Sequence, residues 1–283
     1  MEKVKSIIGN PKNPLLEVLN ILWVIRGRDP VDVSNTMKHY LEGEMSDDVK
    51  KYKLDYVDKY KLSLMVLLAH SYKGHKKYYS FNTFSYLSSG IVRNFIELCR
   101  RSFQYAYFEN RDMLLHKGRI SSDIQDKAAH DLANSELEMI PRIPEHGNKL
   151  YRFSNNLGNI FKTYHIDPFL RYPETNQFIC DISSIDDMEL QKSFKAAIEW
   201  SIIQEKSGDQ NKFILNHAFS PKFDISYRIR GGRHGEHYNT LDIKALMTEN
   251  NVEPKMKLTH KRKVKWKNMQ VKEEKISKLS DFI

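Results

Sequence analysis

Apolar side chains at helical spacing, punctuated by proline and glycine, run through most of the first 165 residues, and this periodicity limits the fold class more than any other feature of the chain. Asn13-Pro14 is a helix start, with proline at a first-turn position where its missing N–H costs nothing. Leu15, Leu16, Val18, Leu19, Leu22, Trp23 and Val24 then form a broad apolar face. A break at 27–30 separates this helix from a second over 31–40. Residues 46–73 form one long amphipathic segment, lysine- and tyrosine-rich at first, and Gly74 ends it. A short helix or turn is expected over 81–87 and a strong helix over 91–106, with Ile91, Phe95 and Leu98 near one face. Ser121-Ser122-Asp123 opens a helix reaching Leu137, and another covers 149–164. Two β-like pieces, 177–181 and 212–216, bracket a helix over 188–204. Residues 221–227 read as a further strand, and Gly231-Gly232 as a turn. The expected fold class is mainly α with minor β.

The 283 residues allow one large or two small domains, and 40% hydrophobic residues are enough for a packed core. No apolar run approaches the length of a membrane span, and the early run 21–25 is too short for a signal-peptide core. Cys99 and Cys180 match neither a zinc nor a redox spacing; two thiols in a chain this long fit a reducing compartment, so a cytoplasmic location is expected. The net charge of +9 is local: Lys255, Lys257, Lys261, Arg262, Lys263, Lys265 and Lys267 supply +7 within one stretch free of acids, and the rest of the chain is close to neutral. Such a concentration of charge suits a polyanion.

Three segments carry candidate chemistry. In Ser88-Ser89-Gly90-Ile91-Val92-Arg93 a glycine turn enters a helix with an arginine in its first turn, and the planar guanidinium suits phosphate oxygens; a capped surface helix with ordinary ion pairs is the plainer alternative. Around Gly231-Gly232, Arg228, Arg230 and Arg233 suit a β-hairpin wing in a DNA groove, or else a solvated basic hairpin. His234 and His237 give two ligands at most, so no metal site is expected. The basic run from Lys255 to Lys267 contains Trp266, which can stack on an exposed base; the alternative is a solvated tail. No nucleophile elbow and no spaced histidine set marks a catalytic centre. From 119 to 230 the order helix, helix, strand, helix, strand, strand is close to that of a winged helix.

The run Leu87-Ser88-Ser89-Gly90-x-x-Arg93-x-Phe95-x-x-Leu98-Cys99 resembles the second-sensor helix in the lid of AAA+ ATPases of the origin-recognition and initiator-like group. Asn13-Pro14 with the leucine helix and Arg26-Gly27 is similar to that group's linker region, and Lys51-Tyr52-Lys53 and Lys59-Tyr60-Lys61 to the segment leading to the lid. Residues 215–228 resemble its C-terminal winged-helix end. The resemblance covers about 11–245 and implies a helical lid-like bundle over 1–115, a winged-helix-like domain over 116–248 and a basic tail over 249–283. It implies that Arg93 senses a nucleotide's terminal phosphate.

The chain departs from that family's pattern in one large respect. It contains neither Gly-x-x-x-x-Gly-Lys-[Ser/Thr] nor an acidic cluster after an apolar strand. Backbone amides and a lysine around the phosphates, and carboxylates for magnesium, are what phosphoryl transfer needs. The chain alone is therefore expected not to be an enzyme, and ATP with magnesium enters only through a partner or another domain. The expected function is DNA binding through Arg228, Arg230, Arg233 and the basic tail; the alternative is an adaptor, or a subunit acting in trans in an ATPase complex, using Tyr78, Tyr79, Phe81, Phe84 and Tyr86. Oligomeric state is left open.

Overall fold

The structure is a computed structural model, and it describes residues 6–61, 64–65, 68, 76–109, 115, 117–166, 176–206, 208, 211–227 and 236–252. The chain divides into two compact units, one chiefly 1–76 and the other 77–163 with 174–254.

The first unit is helical. α1 (Pro14–Ile25) starts where the sequence places it: Asn13 Oδ1 accepts from the Leu16 N–H and proline occupies the first turn. α2 (Pro30–Glu42) repeats the device with Asp29 as cap and ends on Gly43 at φ 81°. α3 (Asp47–Lys53) runs into a π-helical turn, Leu54–Lys59. Leu16, Leu19, Leu22, Trp23, Val33, Met37 and Tyr52 make its core. Buried polar groups are matched: the Tyr52 hydroxyl donates to Asn20 Oδ1 (2.5 Å), Asn20 Nδ2 donates to the Ile8 carbonyl (2.7 Å), and Trp23 Nε1 donates to Asp55 (3.2 Å).

The second unit begins with α4 (Phe81–Leu87) and α5 (Val92–Glu109), which pack on α6 (Ser122–Met139). A 3₁₀ turn, Ile140–Arg142, leads to α7 (Gly147–Ile166). Then come β1 (Gln177–Ile179), α8 (Met188–Glu199), β2 (Ile203–Glu205), β3 (Lys212–Leu215), the short α9 (Ser220–Phe223), β4 (Glu236–His237) and α10 (Thr240–Thr248). The sheet has the order β2-β3-β1-β4; β3 is antiparallel to both β2 and β1, whereas β4 runs parallel to β1. Phe153, Phe178, Phe194 and Phe213 meet beneath it, with successive ring centroids 5.1–6.4 Å apart. Gly158 of α7 is there for close approach: a Cβ on it would lie 2.3 Å from the Phe223 ring.

A mainly helical chain with a small sheet is thus what forms, with three differences in detail. The helix expected over 188–204 stops at Glu199, because Ser201 takes φ 54° and the chain reverses into β2. Residues 221–227 are not a strand: Pro221 sits in the first turn of α9. The boundary expected at 115/116 falls inside the second unit. Residues before it are held by residues far beyond it: Tyr78 is fully buried, its N–H donates to Asp126 (2.6 Å), and its hydroxyl donates to the Ile225 carbonyl (2.7 Å). Burial pushes that hydroxyl's pKa well up.

Candidate functional site

The turn between α4 and α5 is built from two consecutive left-handed residues, Ser89 (φ 51°) and Gly90 (φ 77°), which aim α5 back along α6. Serine in this region is strained, and side-chain contacts hold it. Ser89 Oγ accepts from the His217 N–H (2.9 Å), the Ser89 carbonyl accepts from Gln204 Nε2 (3.0 Å), and His217 Nδ1 lies 3.3 Å from the Tyr86 carbonyl. Gln204 belongs to β2, and His217 follows β3. The turn is therefore tied to both strands of the β2–β3 hairpin. Burial holds the His217 imidazole below its ordinary pKa, against a smaller opposing pull from the Tyr86 carbonyl, and its Nε2 has no hydrogen-bond partner among the described residues. Nothing local in the sequence marks Gln204 or His217 for this task.

Arg93 lies in the first turn of α5, 71% exposed, with Nη2 2.9 and 3.1 Å from the two Glu136 oxygens. An exposed pair of this kind is worth roughly 0–1 kcal/mol, so an incoming phosphate could take the guanidinium from Glu136 at small cost. Further along, Glu97 accepts from Arg100 (2.8 Å) and lies 3.5 Å from Arg101. The bond from Arg100 is the main cause of the Glu97 pKa being lowered. Arg101 also donates to Ser135 (2.8 Å).

On α8 the buried face carries Leu190, Ser193, Phe194, Ala196 and Ala197, so the opposite face with Lys192 and Lys195 is exposed. Neither lysine makes an ion pair among the described residues, whereas Lys77, Lys127, Lys149 and Lys162 are each bonded to a carboxylate. Only their three-residue spacing on an amphipathic helix sets these two lysines apart in the sequence.

The expected wing residues Arg228, Arg230 and Arg233 lie outside the described residues, as do Lys255, Lys257, Lys261, Arg262, Lys263, Lys265, Trp266 and Lys267. The antiparallel hairpin that is described is β2–β3, upstream of the one expected. His234 is also outside the described set, and no group of three or more His, Cys, Asp or Glu poised for a metal occurs among the described residues. Both cysteines are free, and burial pushes the Cys180 thiol up to about 11. No helix among the described residues is long and apolar enough to cross a membrane. In the first unit a polar cleft of about 600 Å³ is lined by Arg28, Asp29, Asp32, His39 and Asp48 among others. Its charges already serve the fold: Asp29 caps α2, and Arg28 stacks on Trp23 and bonds Asp48 (3.2 Å).

These features define a helical protein with a small mixed sheet and a clamped arginine-bearing helix start. A model of the ORC-CDC6-like family matches residues 18–234, most of the chain, and the chain belongs to that family. The matched span includes Arg93, Arg228, Arg230 and Arg233 and stops before the basic run at 255–267. Searches of curated proteins and of solved structures gave no match.

Proposed function

We propose that this chain is a DNA-binding module of an initiator-like ATPase system, holding duplex DNA mainly through phosphate contacts and leaving nucleotide chemistry to another domain or polypeptide. The observation that carries this reading is the order of elements in the second unit. A helix, α7, is followed by β1, then by α8 with two exposed lysines, then by the β2–β3 hairpin, in a sheet ordered β2-β3-β1 before β4 is added. On this reading the order corresponds to that of a winged helix, in which the helix before the hairpin enters the major groove and the hairpin flanks it. Lys192 and Lys195 are placed for backbone phosphates on this reading. Arg228, Arg230 and Arg233 and the run from Lys255 to Lys267, with Trp266 stacking on an exposed base, add further cations.

Family membership supports the reading, as does the charge balance, since the basic excess is concentrated where a polyanion would be met. With neither phosphate-loop motif in its sequence, the chain is proposed not to hydrolyse ATP alone. Arg93, exposed and weakly paired, would reach a terminal phosphate supplied by a partner.

Duplex affinity measured by fluorescence anisotropy across a salt series tests this. The logarithm of affinity should fall linearly with the logarithm of salt. Replacing the seven cations of 255–267 by glutamine should flatten the slope by up to about 6, and Lys192→Glu with Lys195→Glu should weaken binding further. No duplex affinity above background in low salt would overturn the reading and favour a protein-interaction adaptor. That second reading has an observation of its own: Phe81, Tyr86 and Tyr79 are 73, 51 and 48% exposed. Tyr78 and Phe84, expected to share that surface, are buried core residues instead, 0 and 4% exposed.

A further inference from the structure

The second unit does not end with the hairpin. Past α9, β4 joins the sheet parallel to β1, the Tyr238 N–H donates to the Ile179 carbonyl (2.9 Å), and α10 follows. Asn239 and Asp242 close a capping box at the start of α10, the side chain of each accepting from the backbone N–H of the other (3.1 and 3.0 Å). Ile243, Leu246 and Met247 bury one face of the helix. Its last turn is held by α7: the buried Asn156 donates through Nδ2 to the Leu246 and Glu249 carbonyls (2.9 Å each), and Arg152 donates to that of Thr248 (3.3 Å).

The start of α10 is tied to the start of α8. Thr240 Oγ1 donates to the Ser184 carbonyl (3.0 Å), and Lys244 Nζ lies 4.0 Å from Asp187 Oδ2. Asp187 is also the N-cap of α8: its other oxygen, Oδ1, accepts from the Glu189 and Leu190 N–H groups (3.0 and 3.1 Å). Glu189 pairs with Lys149. Two of the three acids at this end of α8, Asp186 to Glu189, are thus engaged. The side chains of Lys244 and Asp187 are 58 and 43% exposed, and a pair at the limit of contact between two such groups holds the lysine weakly. Met188 and Leu241, each next in the chain to one of the tied residues, are 71 and 74% exposed. The corner therefore offers carbon surface beside a cation, the two things a sugar-phosphate backbone presents partners for.

In the DNA reading the start of α8 enters a major groove about 12 Å wide. An element tied to that start stands over the backbone that walls the groove, and a lysine on it has only to exchange Asp187 for a phosphate. We infer that α10 is a second duplex-contacting element, in which Lys244 binds a backbone phosphate beside the groove that α8 enters. The contact rests on the DNA reading and adds to it a helix from outside the α8–hairpin pair.

Duplex affinity of the full chain, measured by fluorescence anisotropy over a salt series, tests it with three substitutions. Lys244→Gln, at an exposed position remote from the cap and core of α10, should weaken binding roughly fivefold in low salt and flatten the salt slope by about 0.9, the share of one phosphate. Lys244→Arg should restore both. Asp187→Asn keeps a capping oxygen for α8 but loses the ion pair, so it should tighten binding roughly twofold by releasing the lysine and removing a repulsive charge. Were Lys244 only a support for the Asp187 cap, both Lys244→Gln and Asp187→Asn would weaken binding and neither would change the slope. A weakening by Asp187→Asn, or a Lys244→Gln slope equal to that of wild type, therefore overturns the inference while leaving the DNA reading in place. A wild type with no duplex affinity removes the DNA reading itself, and this contact with it.

Discussion

The two units reach similar burial by different routes. In the first, the core comes from a short span of chain: α1, α2 and α3 contribute Leu16 to Tyr52, and the longest polar tie described, Asn13 to Tyr56, bridges 43 residues. The second is closed by contacts of far greater separation. Tyr78 reaches Ile225 across 147 residues, and the Ser89 turn reaches His217 across 128. Closing such loops costs chain entropy before any contact repays it, so those contacts form together or not at all. A locally assembled helical unit can fray in parts, whereas a unit tied end to end by its sheet and aromatic cluster should open as one.

The strongest way to break this comparison is Phe194→Ala. Phe194 is fully buried and touches Phe153, Phe178 and Phe213, so its loss should cost about 3–5 kcal/mol. Hydrogen exchange should show protection falling together across 81–109, 122–163 and 177–223 while α1 keeps its protection. Equal loss in both units would show that the chain unfolds as a single body.

A sharper comparison sets Tyr78→Phe against Tyr52→Phe. Each removes one buried hydroxyl and should cost about 1–3 kcal/mol, because each leaves an acceptor without its donor. Tyr78→Phe should lower protection throughout the second unit, and Tyr52→Phe only near α1 and α3. The same local pattern for both would mean that long-range ties do not make the second unit cooperative.

The smallest effect is one of pH. His217 has its pKa lowered by burial, so below its ordinary value of 6.5 the unfolded chain binds a proton that the folded chain resists. The stability the neutral imidazole contributes is complete above that value and is lost as pH falls toward the lowered one. His217→Asn keeps a donor for the Tyr86 carbonyl but cannot titrate, so its thermal midpoint should fall less than wild type's between pH 7.5 and 5.5. Identical pH profiles would show that the clamp on the Ser89 turn is not pH-sensitive.

Sequence alone determined most helices, because caps and periodicity are local: Asn13, Ser121 and Asp187 each accept from the first turn they precede. It also placed β1 and β3, revealed the concentrated positive charge and singled out Arg93 at a helix start. What it could not determine was which distant segments meet. The β2–β3 hairpin, the tether from Gln204 and His217 to the turn before Arg93, the burial of Tyr78 and the exposure of one α5 face all depend on long-range packing. Apolar periodicity says that a face will be buried or could be; only the tertiary fold decides which face finds a partner within its own chain, because that depends on neighbours a hundred or more residues away.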